Sequence, residues 1–126
     1  SNMSLLDLPF ESNYFDLVLC SHVLEHILDD KKAMEEIFRV LKSKGNAILQ
    51  VPISRNNYDT FEDESVTDPQ KREMVFGQFD HVRIYGQDYK NRLESIGFQV
   101  QQINISKEYG KFGLNEYEDV YLVTKK

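Results

Sequence analysis

The stretch Phe15-Asp16-Leu17-Val18-Leu19-Cys20 is a short, nearly continuous apolar run, and it limits the fold more than any other part of the chain. Strands with one wet face alternate apolar and polar residues, whereas a run of this kind belongs to a strand buried on both faces of a parallel sheet. A second such run, Asn46-Ala47-Ile48-Leu49-Gln50-Val51, stops at Pro52, which has no N–H to offer a ladder. Between the two, Asp29 or Asp30 is placed to cap a helix whose apolar positions Ala33, Met34, Ile37, Phe38 and Leu41 recur at helical spacing. Lys42 and Lys44 lie near its end and Gly45 just past it. Strand, helix and strand within about 40 residues form a βαβ unit with a right-handed crossover.

The connection from Ser54 to Ile84 is polar, dotted with aromatic residues and long for a compact domain, where such loops usually carry function or lack order. Inside it, Thr67-Asp68-Pro69-Gln70 offers a cap followed by an early-turn proline and Gly77 offers a stop, so a short helix is predicted from Pro69 to Phe76. A further helix from about Gln87 to Ile96 is marked by Tyr89, Leu93 and Ile96 on one side and Gly97 at its end. Two strands close the chain. The first covers roughly Phe98 to Ile105, where the uneven spacing of Val100, Ile103 and Ile105 hints at a bulge, and the second covers Val120 to Thr124. The loop between them, Glu108 to Glu118, carries Gly110 and Gly113. The fold class is α/β, with about four strands, two main helices and a short inserted one.

A chain of 126 residues is one domain or less, able to bury a core without disulfides or metal. The lone Cys20 has no internal partner, no apolar run reaches the roughly 20 residues a membrane span needs, and no signal-like leader is visible; a cytoplasmic setting is expected. Ser1 and Asn2, ahead of Met3, read as the remnant of a cleaved tag. The formal charge of −6 is spread along the chain with no basic stripe, so neither nucleic acid nor a membrane is an expected partner.

Taken in order, Asp7-Leu8-Pro9-Phe10, Phe15-Asp16-Leu17-Val18, Val23-Leu24-Glu25-His26 and Arg39-Val40-Leu41 with Gly45 resemble the region around strands four and five of class I S-adenosylmethionine-dependent methyltransferases of the type-11 kind. The resemblance covers about Leu5 to Pro52, and the remaining elements fit the same topology. The segment Phe76-Gly77-Gln78-Phe79-Asp80-His81-Val82-Arg83-Ile84-Tyr85-Gly86 also resembles one found in a subset of these enzymes. It implies a Rossmann-like sheet, S-adenosylmethionine as cofactor and a small-molecule acceptor. By the same resemblance residues 3–126 are the C-terminal half of the domain, with 54–85 an insertion on the acceptor side. In the family a strand, a glycine-rich turn and a helix come first, and the turn lets backbone approach the cofactor closely. None of the six glycines, at 45, 77, 86, 97, 110 and 113, lies in such a turn, so activity of this chain alone is not expected.

Cys20, Ser21 and His22 sit at the carboxyl end of the first strand, where open α/β sheets bind ligands. The resemblance implies that they line the adenosyl and methionine side of the cofactor, with Ser4 and Leu5 at the adenine side. The alternative reading makes Cys20 a small buried residue and Ser21 the start of a turn. His81 and Arg83 lie with Asp80 and Tyr85 on the long connection, and by family analogy they are the catalytic candidates. His81 would act as a base if the acceptor must lose a proton, and Arg83 would pair with an acceptor carboxylate or phosphate. A loop histidine and a surface ion pair are the competing reading. Tyr58, Phe61, Phe76 and Phe79 would either wall an apolar acceptor pocket or anchor the loop to the core.

His22-Val23-Leu24-Glu25-His26 is also an H-x-x-E-H, the inverted signature of zinc hydrolases. That chemistry needs the motif on a long helix and a third ligand downstream, and here the motif follows a strand after one residue. No metal ligands are therefore assigned; Leu24 is expected to pack, Glu25 and His26 to form local hydrogen bonds, and His22 alone to face the site. Both crossovers advance the same way along the sheet, so their helices should cover one face and leave the other bare, with the first strand as an edge. Bare apolar faces and open edges promote association, which predicts a homodimer and, as a different class of function, a non-catalytic interaction module.

Overall fold

A computed structural model describes residues 4–54, 57–77, 81–103 and 119–126. Strand β1 (Phe15–Ser21) leads through a short 3₁₀ turn (Leu24–His26) into helix α1 (Asp30–Val40), which returns to strand β2 (Leu41–Gln50). The long connection holds strand β3 (Phe61–Glu62), helix α2 (Pro69–Phe76) and strand β4 (Arg83–Ile84); helix α3 (Tyr89–Ile96) and strands β5 (Gln99–Ile103) and β6 (Val120–Thr124) follow. The four-stranded sheet has the order β1-β2-β6-β5, with β1 and β2 parallel and β6 antiparallel to both of its neighbours. β3 and β4 form a separate antiparallel pair that the sequence pattern did not indicate.

The helices start where the sequence places them. Asp29 is the cap of α1, accepting from the Lys32 N–H at 3.0 Å, and Asp68 caps α2, accepting from Lys71 at 3.1 Å. Pro69 opens α2, and Gly77 ends it in the left-handed region at φ 88°, a conformation that only glycine adopts without strain. The end of α1 differs from expectation: it stops at Val40, and Leu41 and Lys42 already belong to β2. Pairing explains the change, because Phe15 lies opposite Leu41 in the β1–β2 ladder, so the strand captures what the helical period claimed. A register irregularity falls between Phe15 and Leu17. The bulge expected near Val100 is absent from the described part of that strand, where Gln99 to Ile103 pair with Thr124 to Val120 without a shift. Ile105 and the 108–118 loop lie outside the described residues.

One core sits on one face of the sheet. Ala33, Met34 and Ile37 of α1 and Tyr89 and Leu93 of α3 pack on Ala47, Leu49, Tyr121 and Val123. Both main helices thus cover the same face. Opposite it, Leu19, Ile48 and Leu122 are aligned across three strands by the ladder register. Leu17 and Leu19 are 54% and 69% exposed, on a strand that is an edge of the sheet among the described residues.

The long connection is tied back onto the α3 start. Asp88 accepts from the Thr60 N–H at 3.0 Å and from its hydroxyl at 2.6 Å, and Gly86 lies so close to Tyr58 that an added Cβ would stand 2.4 Å from its carbonyl oxygen. Behind this closure is a network of charges. Arg92 donates to Asp30 at 2.8 Å and to Glu62 at 2.7 Å, Arg83 donates to Glu62 at 3.0 Å, and the Tyr85 hydroxyl donates to Asp30 at 2.6 Å.

Candidate functional site

β1 and β2 run parallel, so their carboxyl ends open on the same edge of the sheet, and the 3₁₀ turn and Pro52-Ile53-Ser54 leave from that edge. A cleft of about 340 Å³ lies there, with Glu25 from the turn, Ile53 after β2, Phe76 at the end of α2, and His81, Arg83 and Ile84 from the β4 segment among its walls. The β4 segment is held to the turn by the backbone, since the Val82 N–H donates to the Glu25 carbonyl at 2.9 Å. An isolated parallel bridge between Ile53 and Tyr85, with the Ser54 N–H donating to the Tyr85 carbonyl at 2.7 Å, closes the other side.

His81 is half-buried and lines this cleft. Arg83 borders the same cleft but is only 2% exposed, and its guanidinium is engaged within the chain. Nη1 donates to the carbonyls of Leu24, at 2.7 Å, and of Ile27; Nη2 donates to that of Leu28 at 2.7 Å, and Nε donates to Glu62. Those three carbonyls belong to the turn and the residues just after it. Arg83 therefore shapes the turn that presents Glu25.

Glu25 is the site residue that sequence reasoning missed. It is 2% exposed, one of its oxygens stands 3.4 Å from His26 Nε2, and the other, Oε2, is buried without a hydrogen-bond partner among the described residues. His26 meets His81 edge to face, ring centroids 4.6 Å apart. The H-x-x-E-H spacing drew attention to Glu25 and His26, but only the tertiary fold brings His81 to them. As expected, Leu24 packs in the core. Only Leu24-Glu25-His26 of the motif forms a 3₁₀ turn, with no long helix, and His22 stands apart at φ 57° in the left-handed region.

Of the residues expected to hold the cofactor, Cys20, Ser21 and His22 lie at the carboxyl end of β1. Cys20 is buried at the end of β1; burial first, and then the nearby Glu25 charge, push its thiol pKa up to about 11, so it stays protonated at neutral pH. Ser21 and His22 are exposed, and the His22 N–H donates to the Gln50 carbonyl at 2.7 Å. Ser4 is exposed and accepts from the Leu6 N–H, while Leu5 packs against the core. The family resemblance is what assigns these residues to one wall of an S-adenosylmethionine site. The described glycines do not make a cradle for it. The missing side chains of Gly45 and Gly86 face the chain's own backbone, that of Gly97 faces Phe38, and Gly77 ends α2.

Of the expected aromatic wall, Phe76 lines the cleft and is in ring contact with Phe61 at 5.8 Å, whereas the Tyr58 hydroxyl accepts from Asn91 on α3. Phe79 and Asp80 lie outside the described residues. No helix among those residues is long and apolar enough to cross a membrane.

Residues 1–49 match the family described as "Methyltransferase domain". Over 109 residues the chain is 28% identical to the ubiquinone/menaquinone biosynthesis C-methyltransferase UbiE of Vibrio cholerae, covering 74% of this chain and 41% of the relative. Among solved structures, a putative S-adenosylmethionine-dependent methyltransferase from Listeria monocytogenes aligns over 100% of this chain and 68% of its own, with a TM-score of 0.64 and 19% identity. The YcgJ protein of Bacillus subtilis aligns over 98% and 69%, with a TM-score of 0.62 and 16% identity. The chain spans less than half the length of the curated relatives it matches. The antiparallel β6 beside a parallel pair and the alignments with these solved structures show the fold of the Rossmann-like methyltransferases, and over residues 1–49 the sequence is similar to a methyltransferase domain.

Proposed function

We propose that this chain forms the acceptor side of a small-molecule methyltransferase site, together with one wall of its cofactor site. The cleft at the carboxyl edge of the sheet carries this reading, with apolar walls from Ile53, Phe76 and Ile84 and polar groups from Glu25 and His81. Bound S-adenosylmethionine supplies a methyl group on a sulfonium, open to in-line displacement. Such a displacement is helped mainly by orientation and the exclusion of water, which is what apolar walls provide. Where the acceptor must lose a proton, His81 is the base. Arg83 acts by holding the 3₁₀ turn through three carbonyls, so it positions Glu25 and does not bind the acceptor's anion. Ser21 and His22 form the cofactor wall.

Calorimetric titration of the chain with S-adenosylmethionine tests this. Saturable binding that weakens at least tenfold in Ser21→Trp, about 1.4 kcal/mol, supports it. No saturable heat up to millimolar cofactor would leave the acceptor cleft without a methyl donor on this chain and overturn the reading.

A second reading, an interaction module, draws on the exposure of Leu17 and Leu19 on the sheet face opposite the one that α1 and α3 cover. There a second copy of the chain would cover the Leu19–Ile48–Leu122 row, giving a homodimer. The two readings are compatible. Sedimentation equilibrium reads the second directly, and a well-folded monomer at high concentration would sink it.

A further inference from the structure

We infer that Glu25, His26 and His81 form a binding site for a divalent transition-metal ion of the zinc type. Each residue offers one donor atom, and the three atoms lie within 4.8 Å of one another. Two imidazole nitrogens and one carboxylate oxygen are a donor set that zinc accepts, with ligand bonds near 2.0–2.2 Å and hence donors about 3.3 Å apart. Closing from the observed spacing falls to the side chains of His26 and His81, both half-buried, with His81 lining the cleft.

The independent observation is Glu25. Its Oε2 is buried with no donor among the described residues, on a side chain 2% exposed that lines the cleft. Buried carboxylates are normally paired or ligate a metal, because leaving one without a partner is costly. A cation held between His26, His81 and the Glu25 carboxylate would balance that buried charge, whose Oε1 already stands 3.4 Å from His26 Nε2. The backbone already holds the pieces together, through the Val82 N–H bond to the Glu25 carbonyl and the Arg83 bonds to Leu24, Ile27 and Leu28. The site takes Glu25 and His26 from the H-x-x-E-H motif but replaces His22 with a histidine 55 residues further on than His26.

Three protein donors leave a coordination position open toward the cleft. An ion there would bind a hydroxyl, amine or carboxylate of a small molecule and make a bound hydroxyl more acidic. His81 engaged by the ion cannot also accept a proton, so the ion would take over the part assigned to His81 in the metal-free chain.

The test is metal binding by the chain itself, which does not depend on cofactor binding or turnover. Chelator-stripped protein titrated with zinc chloride is expected to take up one ion per chain with a Kd of about 1 µM or tighter. His26→Ala and His81→Ala are each expected to weaken uptake tenfold or more, whereas His22→Ala leaves it unchanged. Substituting cobalt(II) should give visible absorption of a four- or five-coordinate site that zinc removes. In case a variant fails to fold, the imidazole resonances of the intact chain give the same answer: zinc should shift His26 and His81 and leave His22 in place. No stoichiometric uptake, or uptake that shifts His22 and spares His81, would overturn the proposal whatever the cofactor titration shows.

Discussion

Gly86 stands where the return of the long connection leaves no room for a side chain. A Cβ there would lie 2.4 Å from the Tyr58 carbonyl oxygen and 2.6 Å from the Asp59 carbonyl carbon, both backbone atoms that cannot move without opening the loop. Gly86→Ala should therefore cost about 3 kcal/mol, or roughly 10 °C in the thermal midpoint of a domain this size, measurable by calorimetry. The glycine was visible in the sequence within the segment ending Arg83-Ile84-Tyr85-Gly86, but its reason was not. Tyr58 is 28 residues away, and only the folded chain puts the two in contact. Arg83 gives the same lesson. Residue type and location suggested an anion-binding group, whereas in the fold the carbonyls of a turn more than 50 residues earlier occupy its guanidinium.

At the level of elements, α1 is fastened at both ends by charges. At its start, Asp30 accepts from Tyr85 and Arg92 and stands 3.7 Å from Arg83 Nε, with its side chain only 5% exposed. Removing that charge leaves two guanidiniums facing Glu62 alone. Asp30→Asn is expected to destabilise the fold by about 3 kcal/mol, because the loss of one partner from a buried pair strands the other, and chemical denaturation would show it as a lower midpoint. Near its other end, Glu36 accepts from Arg39 Nε at 2.8 Å and from the Leu8 N–H at 2.7 Å, binding the N-terminal segment to the helix. The Arg39 bond first, and then the Leu8 N–H, lower the Glu36 carboxyl pKa to about 2. A pKa below the unfolded value, about 4.3, means the folded state favours the carboxylate. Its contribution is thus present above about pH 4 and is lost as pH falls toward 2. Glu36→Gln should flatten that acid limb of the stability curve, followed by thermal melts between pH 2 and pH 6, while lowering stability at pH 7.

On the scale of the whole molecule, α1 and α3 both lie on one side of a sheet whose strands carry apolar residues on two sides. Leu17 and Leu19 are the visible consequence. If the uncovered face is where copies of the chain meet, Leu19→Asp should shift a concentration-dependent dimer to monomer in sedimentation equilibrium without lowering the melting temperature of the dilute protein. A variant that sediments like the parent would separate that face from association.

By itself the sequence determined the α/β class, the four strands of the sheet and the helices, because period, capping residues and breakers act over a few residues and are written locally. Asp29, Asp68, Pro69 and Gly77 fulfil at their positions what their chemistry announces. The boundary between α1 and β2 was decided by tertiary structure, since pairing with Phe15 outweighs the helical period at Leu41. So was the membership of the site. Glu25 and His26 share a motif, but it is the Val82 N–H bond to the Glu25 carbonyl that brings His81 to them, and the burial that leaves Glu25 Oε2 without a donor among the described residues is a property of the packed molecule.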